Sequence, residues 1–318
     1  MIDGINTRAL VTNIEYLSSH DGPGVRTTVF MKGCSLRCQW CHNPETIHPY
    51  QDLQWNDRLC VGCLSCYAHC KIGAIRVGKD PFADLQKCVR CFDCVESCPS
   101  GALSVVGKRY SIDELELQLV REEALLKAMK GGVTFSGGEP ALQAKFIAGL
   151  AERLKNRGIH LALDTCGYVP WANYEMLLPY MDLILYDIKE MDVQKHIAFT
   201  GHDNQLIHDN LIKMCRYIQA NALPVRIWIR TPLIPDYTAT GDNVKAIGRF
   251  LSEIPDVIEK WELCAFNNLC KDKYRRLGNR WVLEEHPLMT QSALQGFGQL
   301  ARDCIGNRIP VSTSGLVV

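Results

Sequence analysis

Residues 34–41 read CSLRCQWC, three cysteines at CxxxCxxC spacing in one short loop. Thiolates so placed can hold three irons of a [4Fe-4S] cluster and leave the fourth iron without a protein ligand, open to a substrate. A tetrahedral zinc site would want a fourth ligand, which His42 could supply. A second set follows. Residues 60–77 read CVGCLSCYAHCKIGAIRV and residues 88–105 read CVRCFDCVESCPSGALSV, an internal repeat with all cysteines and a Gly-Ala pair in register. A doubled CxxCxxCxxxC run, with Pro99 after the second copy and Lys71 in place of a proline after the first, is the bacterial two-cluster pattern. There the fourth cysteine of each run ligates the other cluster, so Cys60, Cys63, Cys66 and Cys98 are expected around one and Cys88, Cys91, Cys94 and Cys70 around the other. Cages closed by four cysteines would carry electrons rather than bind substrate. Cys166, Cys215, Cys264, Cys270 and Cys304 are scattered and read as small buried apolar residues.

The elements that must position these loops follow from the hydrophobic pattern. Residues 25–32 (VRTTVFMK) are β-branched and aromatic and end at Gly33, so they form a strand whose C-terminal loop carries the first cysteines. Further strands are expected at 133–136, 160–165, 183–189, 225–230 and 259–263, with helices at 112–129, 141–156, 204–221 and 242–254 between them. Six strand-helix units imply a parallel sheet, and the expected fold is α/β, a partial (β/α)6 barrel of the TIM type. Chemistry in such barrels sits at the C-terminal ends of the strands. Residues 55–106 interrupt the alternation and hold the repeat, which makes them an inserted ferredoxin-like domain within a barrel built from residues 1–54 and 107–318.

Strand ends elsewhere carry further candidates. GVTFSGGEP (132–140) brings Gly137 and Gly138, which let backbone approach a ligand, and Glu139, an acceptor for an ammonium group; an ordinary glycine-rich turn is the plainer alternative. LALDTCG places Asp164 and Thr165 at the end of the third strand, and YDIK places Asp187 and Lys189 on one face at the end of the fourth, where a structural ion pair is the simpler account. Arg230, in RIWIRTPLIP, is a bidentate carboxylate binder by chemistry.

The 318 residues are 47% hydrophobic and 22% charged, the composition of an ordinary globular protein. Lys+Arg and Asp+Glu both count 35, so no global field draws in nucleic acid or an anionic membrane, and neither is expected as a partner. The opening MIDGINTRALVTNIEYL lacks a basic region before an apolar core, and no stretch reaches a bilayer-spanning length, so a cytoplasmic location is expected. The cytosol keeps thiols reduced, so 16 cysteines argue against a disulfide framework, and the clustered ones among them read as metal ligands.

HDGPGVRTTVFMKGCSLRCQWCHNPE (20–45) resembles the N-terminal signature of the glycyl radical enzyme activating enzymes, a branch of the radical S-adenosylmethionine superfamily, and the likeness continues at intervals to Gly278. The resemblance implies that S-adenosylmethionine chelates the open iron and is cleaved reductively to methionine and a 5'-deoxyadenosyl radical, which takes a Cα hydrogen from a glycine of a large partner enzyme. It places Gly137, Gly138 and Glu139 at the methionyl amino group. It places Asp164, Thr165 and Asp187 around the methionyl carboxylate and a monovalent cation, Lys189 and Arg230 as further contacts, and Trp40 over the adenine side. Trp40 could equally be packing. Asp21, in its DGPG turn, is the candidate for the mouth of the channel that admits the glycine loop. Flavodoxin or ferredoxin is the implied electron donor. The insert favours a decarboxylase, a dehydratase or a carbon-nitrogen or carbon-sulfur lyase as partner over pyruvate formate-lyase. One departure stands at LCAFNNLCKDKYRRLG (263–278), where Ala265, Asn267 and Cys270 replace the family's proline, histidine and glycine. Two rivals remain at this level: a radical maturase that oxidises a protein side chain, and a plain electron-transfer protein, which would leave GGEP, Asp187, Lys189 and Arg230 unexplained.

Overall fold

The computed structural model describes residues 8–78 and 82–318; the first seven residues of the N-terminal stretch read above, and residues 79–81 of the insert, lie outside these. Its strands are β1 (Ala9–Ser18), β2 (Arg26–Met31), β3 (Asp52–Trp55), β4 (Leu103–Val106), β5 (Lys108–Tyr110), β6 (Gly132–Gly137), β7 (His160–Thr165), β8 (Leu183–Asp187), β9 (Arg226–Leu233), β10 (Ile258–Ala265) and β11 (Val311–Ser314). Nine of them form one sheet in the order β11-β10-β9-β8-β7-β6-β2-β1-β5. The six expected strands, β2 and β6 to β10, are all present and parallel. β11 adds a parallel edge, while β1 and β5 extend the other side antiparallel.

The two faces of this sheet differ, because side chains alternate along each strand. Leu161, Leu163, Ile184, Tyr186, Ile227, Ile229, Trp261 and Leu263 join the main hydrophobic core. Helices cover that core with apolar stripes at helical spacing: Ile147, Leu150, Ala151 and Leu154 on Ala144–Asn156, and Leu211, Met214, Cys215 and Ile218 on Gln205–Ala220. Each Leu, Ile or Met among them contributes about 1.5–3 kcal/mol by leaving water. The intervening residues point the other way. Ala162, Leu183, Leu185 and Trp228 make a small separate cluster there, and the polar residues of the same phase lie beyond it: Asp164, Asp187, Arg230 and Glu262. Register sets Asp187 opposite Arg230, and Arg230 opposite Glu262.

The helix expected over 112–129 is split. Ile112–Leu119, opened by a Ser111 and Glu114 capping box, and Glu123–Ala128 are joined by a 3-10 turn at Val120–Glu122. Among the described residues no helix is long and apolar enough to cross a membrane.

β3 and β4 pair antiparallel, Asp52 with Val106 through Trp55 with Leu103, and close the base of the segment between them. That segment has its own core, in which Leu53, Ile75, Phe82, Ala83, Cys94 and Leu103 meet. Its repeat is also a repeat of backbone. Gly62 and Arg90 are left-handed at φ +69° and +59°, Leu64 and Phe92 at +61° and +66°, Gly73 and Gly101 at +59° and +67°. Equivalent residues of both copies therefore wind the same way, and left-handed turns between right-handed ones aim successive N–H groups inward.

Candidate active site

One cavity of about 280 Å³ opens at the C-terminal ends of the parallel strands. Cys34, Cys38, Trp40 and Cys41 line it from the loop after β2, Gly137 and Gly138 from the end of β6, Asp164 and Thr165 from β7, Asp187 and Lys189 from β8, and Arg230 from β9. Residues as far apart as 34 and 265 thus meet around one space, because successive strands deliver their last inward side chains to it.

Charge is concentrated here. Lys189 donates to the Asp187 carboxylate; burial opposes its charge, but Asp187 together with Cys38 and Cys166 outweighs that, so its pKa is raised. Arg230 faces Asp164 at 3.5 Å and Glu262 at 3.6 Å, and also donates to the His20 carbonyl at 3.2 Å. Burial lifts the Asp164 carboxyl to about 6; Arg230 pulls it down, whereas Asp187 and Asp21 push it further up. Ser136 donates to Asp164 at 2.6 Å. The site thus presents two cation-anion couples that a zwitterionic ligand could enter, its carboxylate meeting Lys189 or Arg230 and its ammonium meeting the acids.

The cysteines fit an iron-sulfur cluster. Burial pushes the Cys38 thiol up to about 11 and that of Cys41 up to about 12, so without a metal both are thiols, and a bound cation of high charge is what makes thiolates of such groups. Among the described residues no three His, Cys, Asp or Glu side chains converge closely enough to share one ion. His42 borders the same cavity, and its Nε2 is bonded to the Asn267 carbonyl at 2.9 Å.

Two expected residues stand elsewhere. Glu139 is fully buried and does not line the cavity. Its carboxylate accepts from the Thr165 hydroxyl at 2.8 and 2.9 Å, from the Cys166 N–H at 2.8 Å and from the Ala141 N–H at 3.0 Å. It therefore pins the ends of β6 and β7 together, and from this side Gly137 and Gly138 line the cavity. Thr165 likewise spends its hydroxyl on Glu139, with Tyr174 bonded to the same oxygen at 2.7 Å. Asp21 also lies outside this cavity; Thr28 donates to its carboxylate at 2.7 Å, Ser18 at 3.0 Å. Buried Arg26 steadies the DGPG turn through the Pro23 carbonyl and ties it to Thr134 on β6 at 2.6 Å. Trp40 packs edge-on against Phe199 and Tyr237 while still bordering the cavity.

The residues missed in the sequence hold the cluster loop from the far end of the chain. Tyr274 donates to the Cys41 carbonyl at 2.9 Å, Trp281 to that of Gln39 at 2.7 Å, and Lys273 to Asn43 and Glu45, both at 2.7 Å. Tyr274 and Trp281 stack, with ring centres 5.1 Å apart. The stretch 263–278, where the family pattern is broken, is this clamp: Cys270 is buried against Cys41, and Asn267 offers its backbone to His42.

In the insert, a hollow of about 550 Å³ is bordered by Cys60, Cys63, Cys66 and Cys98, three cysteines of the first copy and one of the second. The reciprocal set is also together: burial pushes Cys94 up to about 11, helped by Cys88, Cys70 and Cys91 beside it. Burial acts against the Cys70 thiolate, but N–H groups of residues 72–75 outweigh it, that of Ala74 at 3.2 Å from the sulfur; Cys98 has the same support from residues 100–103.

Residues 28–241 match the radical SAM superfamily, and the chain belongs to it. It is 40% identical to the trans-4-hydroxy-L-proline dehydratase activating enzyme of Clostridioides difficile over 92% of this chain and 95% of that one. With the isethionate sulfite-lyase activating enzyme of Oleidesulfovibrio alaskensis it shares 36% identity over 88% and 90%. Within the superfamily it stands in the branch of glycyl radical enzyme activating enzymes, which are oxidoreductases. A radical SAM methyltransferase from Sphaerobacter thermophilus has the same fold, with a TM-score of 0.52 at 12% identity over 96% of this chain and 77% of that one.

Proposed function

We propose that this protein activates a glycyl radical enzyme, holding S-adenosylmethionine in the cavity at the strand ends and a [4Fe-4S] cluster on Cys34, Cys38 and Cys41. The observation that carries the reading is the convergence of those cysteines with Asp164, Asp187, Lys189 and Arg230 on one cavity. When held by Cys34, Cys38 and Cys41, such a cluster would supply the electron that cleaves the sulfonium, and the resulting adenosyl radical would take the Cα hydrogen of a partner's glycine.

Lys189 and Arg230 then meet the methionyl carboxylate, with Asp164, Thr165 and Asp187 around it and around a monovalent cation. Carbonyls of Gly137 and Gly138 take the amino group, and Trp40 bounds the adenine side. Arg230 also reaches His20, beside Asp21, which links the ligand to the turn where the partner's glycine loop enters. The mostly parallel sheet acts as a partial barrel, which leaves room for that loop. Residues 55–106 act as a ferredoxin-like domain with two further clusters, on Cys60, Cys63, Cys66 and Cys98 and on Cys88, Cys91, Cys94 and Cys70, and relay electrons from flavodoxin or ferredoxin in the cytoplasm. Relatives named for a dehydratase and a sulfite-lyase favour partners of those reaction types over pyruvate formate-lyase.

The test is direct. Anaerobically reconstituted protein, S-adenosylmethionine, a reductant and a candidate partner enzyme should give one 5'-deoxyadenosine per glycyl radical, seen as the radical's EPR signal on the partner. Cleavage of S-adenosylmethionine with oxidation of a side chain instead, and no glycyl signal from any such partner, would turn the reading toward a maturase.

A further inference from the structure

We infer that the two cysteine sets of the insert work in a fixed order: an electron enters at Cys60, Cys63, Cys66 and Cys98 and leaves for the active site from Cys70, Cys88, Cys91 and Cys94, past Cys88. The inference rests on the relay proposed above and adds its direction.

The repeat makes the two sets near copies, so sequence symmetry does not say which is inner. The structure breaks the symmetry. Cys88 borders a small cavity of about 60 Å³ together with Pro44, Leu53, Leu277 and Asn279. Both sides of that cavity lead to Cys41. Pro44 lies three residues beyond Cys41 in the chain. Asn279 donates its N–H to the Tyr274 carbonyl at 2.9 Å, and the Tyr274 hydroxyl donates to the Cys41 carbonyl at 2.9 Å. Across that small space Cys88 faces a covalent and a hydrogen-bonded route to the same ligand, whereas none of Cys60, Cys63, Cys66 and Cys98 borders it.

The equivalent positions Gly62 and Arg90 show how the copies diverge. Arg90 lies over the Tyr50 ring at 4.0 Å and near Asp52 at 3.9 Å, and Asp52 is itself paired with Lys32 at 2.7 Å. This seats the Cys88–Cys91 loop on the body of the protein. At Gly62 a side chain would meet nothing within 4 Å. Around it Cys60 is exposed where its counterpart Cys88 is half-buried, while Val61 and Val89, at 70% and 67%, and Cys63 and Cys91 are exposed alike. Asp57 and Arg275 face each other there at 4.0 Å, an exposed pair that adds little hold. The two copies therefore differ at their first loop: Cys60 and Gly62 face solvent, whereas Cys88 and Arg90 face the body of the protein.

The step moves one electron and no atoms: the reduced flavin of flavodoxin gives it up, and the site of Cys34, Cys38 and Cys41 gains it. The experiment uses the whole chain as Cys63→Ala and Cys91→Ala variants, each checked for loss of about a third of its iron. Reduced flavodoxin is mixed in, and EPR of freeze-quenched samples reads which cluster is reduced. Cys91→Ala should show early reduction of the outer set with the active site left oxidised. Cys63→Ala should show early reduction of neither remaining set. The opposite pattern overturns the order, and wild-type reduction of the active site in both variants overturns the relay itself. Cleavage of S-adenosylmethionine driven by dithionite, followed in parallel, tests the enzymatic reading independently. Should either variant lose both insert clusters, Arg90→Ala touches no cysteine. It should lose early flavodoxin-driven reduction of the active site with all three EPR signals retained, and unchanged reduction would rule out Cys88 as the exit.

Discussion

Lys189→Met separates a ligand contact from an ion pair that merely serves the fold. The side chain is 7% exposed and paired with Asp187, which is 25% exposed. Methionine keeps most of the volume and removes the charge. Breaking a buried pair by losing one partner costs about 3–5 kcal/mol; since Asp187 is partly solvated and also feels Arg230, the lower end, about 3 kcal/mol, is expected in urea unfolding. Separately, losing a charge-assisted contact to the methionyl carboxylate costs about 1.5–3 kcal/mol, a weakening of about ten- to a hundredfold in the affinity for S-adenosylmethionine. Anaerobic equilibrium dialysis reads this, with iron content as the control. The double variant Lys189→Met with Asp187→Asn, read against Asp187→Asn alone because Asp187 also borders the cavity, decides between the roles. With no unpaired charge left, stability should largely return, whereas affinity should stay low because the contact is still missing. Recovery of full affinity in the double variant would refute the assignment and leave Lys189 a structural counter-ion.

Replacing Cys34, Cys38 and Cys41 together by Ala should remove about a third of some twelve irons and all cleavage of S-adenosylmethionine; surviving cleavage would break the central assignment. Gly24→Ala should destabilise the DGPG turn by about 2–4 kcal/mol in urea unfolding, since Gly24 is at φ +68° and a Cβ would sit 2.4 Å from the Lys130 carbonyl; an unchanged midpoint would mean that the turn is not anchored there. Tyr274→Phe loses one hydrogen bond to the cluster loop, worth about 1 kcal/mol, and should speed iron release to a chelator from the active site more than from the insert. Equal release rates in variant and wild type would deny the C-terminal clamp a role.

The parallel strands were legible because LALDT and LILYD are apolar runs bounded by turns, and strands flanked by helices keep that pattern. β1 and β11 were not, since NIEY and VSTS mix polar residues on strands near or at the sheet's edges, where little burial disciplines composition. The cavity residues Asp164, Asp187 and Arg230 could be placed from strand phase together with family likeness. Glu262 and Ser136 share that phase and were legible in principle: both sit one step from residues already singled out on inward-facing positions. Glu139 shows the limit. Its type suggested an exposed acceptor, but only the packing of β6 against β7 reveals three donors already waiting for it. Tyr274 and Trp281 had no local signal, because their partners lie more than 230 residues away.

That separation bears on how the protein is made. The loop carrying Cys34, Cys38 and Cys41 leaves the ribosome early, yet bonds from His42, Cys41, Asn43 and Gln39 reach partners at 267–281. Until that late segment emerges, the nascent loop has neither its stacked aromatic lid nor its polar anchors, and its thiols stand open to the solvent. The insert closes on contacts some fifty residues apart and can mature during synthesis. The pairing that closes the insert can thus form on a much shorter nascent chain than the clamp over residues 34–41, which must wait for residues 267–281.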